Sequence, residues 1–416
     1  MLQAMLSSVA SIQAQQSRMD VIGDNLANIN TTAFKGSRTN FEEMMAQTVR
    51  EGANPIQFGQ GVLVGSTDTN TQQGSLNATN RPDDLALQGN GYFVVNTGNG
   101  LQYTRDGSFG IDANGNLIQQ STGAQLLGWA ADANGKIDTN AGVTGASTLT
   151  IPLGTATAFK ATTSLSMAGN LDSSAKATDS FTTTVQVFDS LGASHDISVS
   201  FSNHTSPPAA GGPAGSKSSW SWTAKDGSNV IGSSSTTGNQ DLFFDATGNL
   251  LNPKALGNIS IPAASGTAAQ PIALDFSTLT QISGTTQVQA GNQDGFAPGQ
   301  LQSFTIGQDG IITGVFSNGL TRSLGEVAVA QFENPGGLSR NGGNLFGETS
   351  GSGPSSIGVA GQGGRGSIQA GYLEQSNVDI GTEFTNLIIT QRGYQANTKV
   401  VTTVDDMLQT LIDMKR

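Results

Sequence analysis

Cysteine is absent from this chain of 416 residues, which excludes disulfides, thiolate metal sites and cysteine nucleophiles and leaves the redox compartment open. Histidine is nearly absent, since His195 and His204 are the only imidazoles. No apolar run approaches the roughly 20 residues that a membrane span needs. The N-terminal MLQAMLSSVA has spaced apolar residues and no basic start, so it does not read as a signal peptide. The chain reads as soluble, without membrane insertion, and any export would follow another route. Basic runs are also missing. With a formal charge of −12 and a pI near 4.5, nucleic acid is an unsuitable partner, because phosphate binding draws on clustered Lys and Arg. If copies associate, like charges repel within a Debye length of ~8 Å at physiological salt, so association must rest on apolar burial and shape.

Charge and aromatics are sparse as well, at 12% and 6%, whereas glycine is abundant at 55 residues in a body crowded with Ser, Thr, Asn and Gln. That mixture favours short strands and many turns over packed helical layers. The length predicts two to four domains at roughly 150 residues each.

Only the two ends carry helical periodicity. Leu2, Met5, Val9, Ile12, Met19 and Leu26 recur at steps of three and four, the seam of a helix that meets another helix, interrupted at Gln16 and Gly23. Leu387, Tyr394, Val401 and Leu408 fall seven apart, with Val404 and Leu411 in the second seam position and Thr390 and Asn397 weakening the first half. Single amphipathic helices of this length are marginal in water, so the two must cover each other or await neighbours. Residues 1–30 and 372–416 are accordingly expected to be disordered in the free subunit and to order on assembly.

Between the ends the texture is β. Tyr92-Phe-Val-Val95, Thr184–Phe188, Ile197–Phe201 and Glu326–Ala330 are short apolar alternations. They are separated by the turn signals DANGN at 112–116, DANGK at 132–136, DATGN at 245–249 and GQDG at 307–310, and Asn-Gly supplies the positive φ that a tight hairpin demands. The predicted class is a mainly β multi-domain body whose N- and C-terminal helices pair as a coiled coil in a polymer. Expected divisions are 1–30 with 372–416 as the helical domain, 31–70 as a connecting segment, 71–145 with 286–371 as an inner β domain, and 146–285 as an inserted outer β domain. A Ser/Thr/Gly-rich tract from His204 to Ser219 is expected to be a long surface loop.

A search for chemistry finds little. Asp196, beside His195 in SLGASHDISVSF, points to the opposite face of a strand, and SNHTSPP around His204 reads as turn chemistry. DANGK has its glycine fourth and no Glu at the distance an EF-hand loop requires, which favours a hairpin turn over calcium. Gly361–Gly366 satisfies G-x-G-x-x-G without a helix to follow it, so no cofactor is implied. Phe181, Phe188, Phe243 and Phe244 read as sandwich core. A secreted β-sandwich adhesin or carbohydrate-binding module would explain the body but not the heptads. An enzyme lacks the parts for a nucleophile, base and orienting group.

In GDNLANINTTAFK, at 23–35, Asn25 and Asn28 are placed to end the first helix because asparagine tolerates the left-handed region. Phe34 and Lys35 would then begin a stretch that docks toward the β body. This stretch, with ALQGNGYFVV at 86–95, YTRDGSF at 103–109 and GYLEQSNVDIGTEFTNLIITQRGYQANTKVVTTVDDMLQTL at 371–411, closely resembles the flagellar rod and hook family of bacterial axial proteins. Within it, the length and the large β insertion resemble hook members more than the shorter rod members. AQTVREGANPIQFGQGVLVG at 46–65 is similar to a segment of distal rod proteins, which makes a distal rod subunit the alternative. The resemblance implies a homopolymeric tube with terminal helices lining a channel and β domains outside. It also implies export through the flagellar type III apparatus, and contact with the distal rod protein, the hook cap protein and the hook-filament junction protein. The implied location is the flagellar hook, outside the cell, next to the basal body.

Overall fold

Helical and strand periods segregate along the chain. In the computed structural model, residues 2–45, 47–50, 56–98, 100–132, 135–154, 157–208, 212–234, 241–251, 257–262 and 269–414 are described. The side chain of Leu2, the middle of the turn at 132–136, parts of the 46–65 segment and residues 209–211 of the Ser/Thr/Gly-rich tract lie outside them. Helix α1 (Leu2–Ala27) opens the chain and helix α2 (Ile380–Asp413) closes it, and among the described residues the elements between are strands apart from one 3-10 turn, Pro335–Gly337. The C-terminal helix starts later than residue 372, because Tyr372–Glu374 is a strand paired with Leu76–Ala78, and Asp379 caps the helix by accepting from the Thr382 N–H at 2.7 Å.

The chain forms two units. One comprises Met1–Pro152, Phe304–Gly314 and Arg322–Arg416; the other comprises Leu153–Ser303 and Val315–Thr321. In the first, a nine-stranded sheet is built around Tyr92–Asn96, which pairs with Leu101–Thr104, Gln125–Leu126 and Val329–Gln331. Tyr92, Tyr103, Phe332 and Phe346 pack edge to face on one side of it, and Phe93 meets Phe109 on the other. Two further ribbons pair Leu85–Gln88 with Ser367–Ala370 and Leu76–Ala78 with Tyr372–Glu374, drawing the segments next to the two helices side by side.

The second unit is a two-sheet sandwich. One sheet has the order Gly257–Ile261, Gln270–Ile282, Ser164–Asp172, Gln287–Gln293, with Ser164–Asp172 parallel to Gln270–Ile282. The other runs Phe181–Phe188, Ser194–Thr205, Ser218–Asp226, Asn229–Ser233, with Leu242–Phe244 paired to its third strand. Trp220, Trp222, Phe201 and Phe276 fill the core between them, joined by Leu165, Leu274 and Phe244. Gly227, at φ +58°, makes the tight turn between the third and fourth strands affordable. The insertion is longer than the expected 146–285: Gln287–Gln293 pairs with Ser164–Asp172, so a boundary at 285 would cut a strand out of its sheet.

Three local readings change. His204 lies inside the strand Ser194–Thr205, buried, with Nδ1 2.7 Å from the Ala175 carbonyl and Nε2 2.9 Å from Gln281 Nε2. It is a core histidine, because the carbonyl and the amide satisfy both ring nitrogens. Likewise Ser218 and Ser219 belong to a strand, so the surface tract ends before them. His195 has its carboxylates after all, from the neighbouring strands: Asp226 at the end of Ser218–Asp226, at 2.9 Å, and Asp189 just after Phe181–Phe188, at 3.6 Å.

The turn at 112–116 shows what its carboxylate does. Asp112 Oδ1 accepts the N–H groups of Asn114 and Asn116 at 2.8 and 2.7 Å, so it is occupied by its own backbone. No cluster of three or more metal-binding side chains occurs among the described residues. Gly361–Gly366 is a loop leading into the strand Ser367–Ala370.

Candidate assembly interface and its joint

Helices α1 and α2 pack against each other in an antiparallel pair. Asn397 Nδ2 donates to Ser11 Oγ at 2.6 Å, the Gly393 backbone faces the Gln15 side chain, and Asn25 Nδ2 reaches Glu383 Oε1 at 3.4 Å. Steps along α1 from Ser11 to Gln15 to Asn25 are matched by equal steps back along α2, so one register holds throughout. In that register Leu2 stands opposite Asp406, and the last turns of α2 overhang the start of α1.

The contact line differs from the apolar seam. On α1 the buried residues are Ser8, Ala14, Ile22 and Asn25, while Met5, Ile12, Met19 and Leu26 are half-buried and Val9 is exposed. On α2, Thr390 and Val404 are buried, Leu387, Val401 and Leu408 half-buried, and Tyr394 and Leu411 are 37% and 49% exposed. Thus Thr390 and Asn397, which weaken a purely apolar seam, lie where the helices meet, and Tyr394 yields its position to Gly393. Small side chains allow the close approach, and amides replace apolar knobs in fixing register. A second face of α1 packs on the hairpin Ser37–Glu43/Val62–Thr69, with the Arg18 guanidinium 5.8 Å from the Phe41 ring.

The joint begins at the end of α1. Asn25 does not end the helix. It is buried within it, exchanging hydrogen bonds with the Ser37 backbone at 2.7 and 2.8 Å. Asn28 follows the last helical residue and bonds back to the Asp24 carbonyl at 3.0 Å, while its Oδ1 accepts from Thr31. The left-handed residue is Ala33, at φ +56°, held by its N–H bond to the Glu374 carbonyl at 2.8 Å and by Asn344 on the neighbouring Thr32 carbonyl. Phe34 is buried beneath the Arg340 guanidinium, 5.4 Å from the ring centre. Asn377 then ties the linker down, accepting from the Gly36 N–H at 2.9 Å and donating to the carbonyls of Asn70 and Gln72.

Lys35 is 2% exposed and pairs with Glu374, 0% exposed, at 2.5 Å. Its ammonium also donates to the Gln72 carbonyl at 2.8 Å. Arg105 approaches the other Glu374 oxygen at 3.5 Å, donates to the Gly89 carbonyl at 2.7 Å and lies over the Tyr92 ring. Burial pulls the Lys35 pKa below its usual value, with the Glu374 carboxylate opposing that pull. Nearby, burial raises the Glu383 carboxyl above its usual range, partly offset by Asn25. Sequence reasoning singled out Lys35 but missed Arg105 and Glu374. The available signal was that Lys35, Arg105 and Glu374 all fall inside the quoted motif blocks, in a chain with only 12% charged residues.

Those blocks also carry the matches to known families. Residues 5–35 match the flagella basal body rod protein family, 86–169 the flagellar hook protein FlgE/F/G D1 domain, 159–296 the flagellar basal body protein FlaE D2 domain, and 369–414 the flagellar basal body rod FlgEFG protein C-terminal region. The class is thus that of the rod and hook components of the bacterial flagellum. At full length the chain is 34% identical to the flagellar hook protein FlgE of Treponema pallidum over 473 residues, covering 100% of both chains. It is also 34% identical to that of Borreliella burgdorferi, again covering 100% of both. Identity to the Escherichia coli K12 protein is 33%, covering 99% of this chain and 100% of that one. The chain belongs to the bacterial flagellar hook protein family, a structural family of the flagellum, and the rod-subunit and adhesin alternatives give way to it. No helix among the described residues is long and apolar enough to cross a membrane.

Proposed function

We propose that copies of this chain polymerise head to tail through their terminal helices into a curved, flexible tube, the universal joint between rod and filament. One observation carries this reading. Ile389, Val400, Met407 and Leu411 are exposed and recur at steps that a helix brings onto one side, beside the line that meets α1. An apolar stripe of that length on a charged, soluble chain is a docking surface. Contacts between different faces of identical subunits propagate into helical filaments when they do not close. The apolar line of α1, from Met5 to Leu26, flanks its contact with α2 and is open to neighbours in the same way.

The sandwich supports the flexible half of the proposal. Thr182 with Ser200 at 2.9 Å and Thr184 with Ser198 at 3.5 Å form a hydroxyl ladder on its solvent face. Such surfaces make wet contacts that break and re-form at little cost. Firm contacts would then run through the helices and adjustable ones through the sandwich. The distal rod protein, hook cap protein, hook-filament junction protein and type III export apparatus are the corresponding partners in this reading.

Electron microscopy of polymer grown from purified protein tests it, since a supercoiled, flexible tube is expected and a straight, rigid one would favour a rod role. Leu408→Asp or Val9→Asp should abolish polymerisation while the circular dichroism of the β body is unchanged. A variant that still makes tubes would remove the helices from the polymer core. In the free subunit the helices should exchange amide hydrogens faster than the sandwich strands, and strong protection would count against ordering on assembly.

A further inference from the structure

Lys35 and Arg105 bring two buried cations to the joint, and among the described residues Glu374 is the one carboxylate that contacts both. Glu374 follows Lys35 by 339 positions and Arg105 by 269. Its Oε1 also accepts the Gly74 N–H at 2.8 Å, and its own carbonyl accepts the Ala33 N–H at 2.8 Å. The fit is close, since a Cβ on Gly74 would stand 2.0 Å from the Gln375 carbonyl oxygen.

We infer that Glu374 is the latch of the joint, the last-arriving group whose carboxylate permits Lys35 and Arg105 to be buried and so lets the linker of α1 dock on the β body. A buried ammonium without a counter-charge is strongly disfavoured, and the chain avoids it by keeping the group in water. Chains are made N-terminus first, so residues 31–74 and Arg105 exist well before their carboxylate does. Until then the linker stays open, and α1, although packed on the strands Ser37–Glu43 and Val62–Thr69, is not held in a fixed direction against the nine-stranded sheet. The meaning for assembly, that α1 is aimed only once the root of α2 is in place, rests on the polymer reading above. The latch itself does not.

Pulse-labelled hydrogen exchange during refolding of the full chain tests the order. The reporters are the Ser37 N–H, bonded to Asn25, and the Asn70 N–H, bonded to the Gly36 carbonyl, because neither bond involves the C-terminal segment. Both should gain protection no earlier than the Gly371 N–H, which bonds to the Asp84 carbonyl and reports docking of that segment. Earlier protection of the linker would overturn the latch. At equilibrium, Glu374→Gln should raise exchange at Ser37 and Asn70 at least about 100-fold, because two cations then lack an anion, while Lys35→Met, which leaves a balanced pair, raises it less than about tenfold. Equal losses in the two variants would reduce the cluster to packing. These readouts use unassembled protein, so a failure of the polymer reading leaves them intact.

Discussion

The sandwich and the helix pair hold together by different chemistry. Between the sheets of the sandwich, two tryptophans and two phenylalanines bury their rings almost completely, with Trp222 and Phe276 5.5 Å apart. Between α1 and α2 asparagine meets serine and glutamate and a glycine meets a glutamine, the fully buried apolar side chains of the pair are Ala14, Ile22 and Val404, and the other large apolar side chains are left to the flanks. A core of aromatics gives the sandwich a large apolar interior of its own, whereas a contact line rich in polar groups fixes register and contributes less stability. The difference teaches where this chain reserves its apolar surface: inward in the sandwich, outward on the helices.

The largest expected effect probes the sandwich side of this contrast. Trp222→Ala should cost about 3–5 kcal/mol and melt the sandwich early in a thermal scan, leaving the nine-stranded sheet of the other unit in place. On the helix side, Asn397→Ala should cost only about 1 kcal/mol, seen in the thermal stability of the helical signal, because one partly buried hydrogen bond is lost. If the two costs were alike, the contrast would fail. Gly393→Ala has the opposite sign. Its new Cβ would stand 3.2 Å from the end of the flexible Gln15 side chain, which can turn aside, so helix propensity dominates and stability should rise by about 0.5–1 kcal/mol.

The smallest effect concerns acid. Burial tends to raise the Asp294 carboxyl, but hydrogen bonds from Thr163 and Ser164 at 2.7 to 2.9 Å, with Lys160 at 3.3 Å, outweigh it and hold the pKa well below the ordinary range. A folded-state pKa below the unfolded one contributes stability above about pH 4 that is lost as pH falls through the folded value. Asp294→Asn should therefore be less stable than the parent at pH 7, by under about 1 kcal/mol after solvent screening, and converge with it in strong acid. Urea titrations at the two pH values would check this.

Periodicity made the terminal helices and the β body legible, because steps of three and four and alternations of two are local properties of a sequence. Turn chemistry did the same for Asp112. What escaped depends on distant partners. Asn25 looks like a helix end by composition, yet it stays helical because the Ser37 backbone satisfies its amide. His204 looks like turn chemistry and is buried because Gln281 and the Ala175 carbonyl meet its ring. The helix contact line escaped for a related reason: apolar spacing finds the greasiest side of α1, and within this chain that side is not the one that meets α2. The joint was half legible, through Phe34 and Lys35, and its other half needed the fold.

The shared register of α1 and α2 has a mechanical consequence. Sliding one helix along the other by a single turn would part Asn397 from Ser11, Asn25 from Glu383 and Gly393 from Gln15 together. The pair is keyed like two toothed racks laid face to face, the teeth resisting travel along the axis while asking little of the flanks.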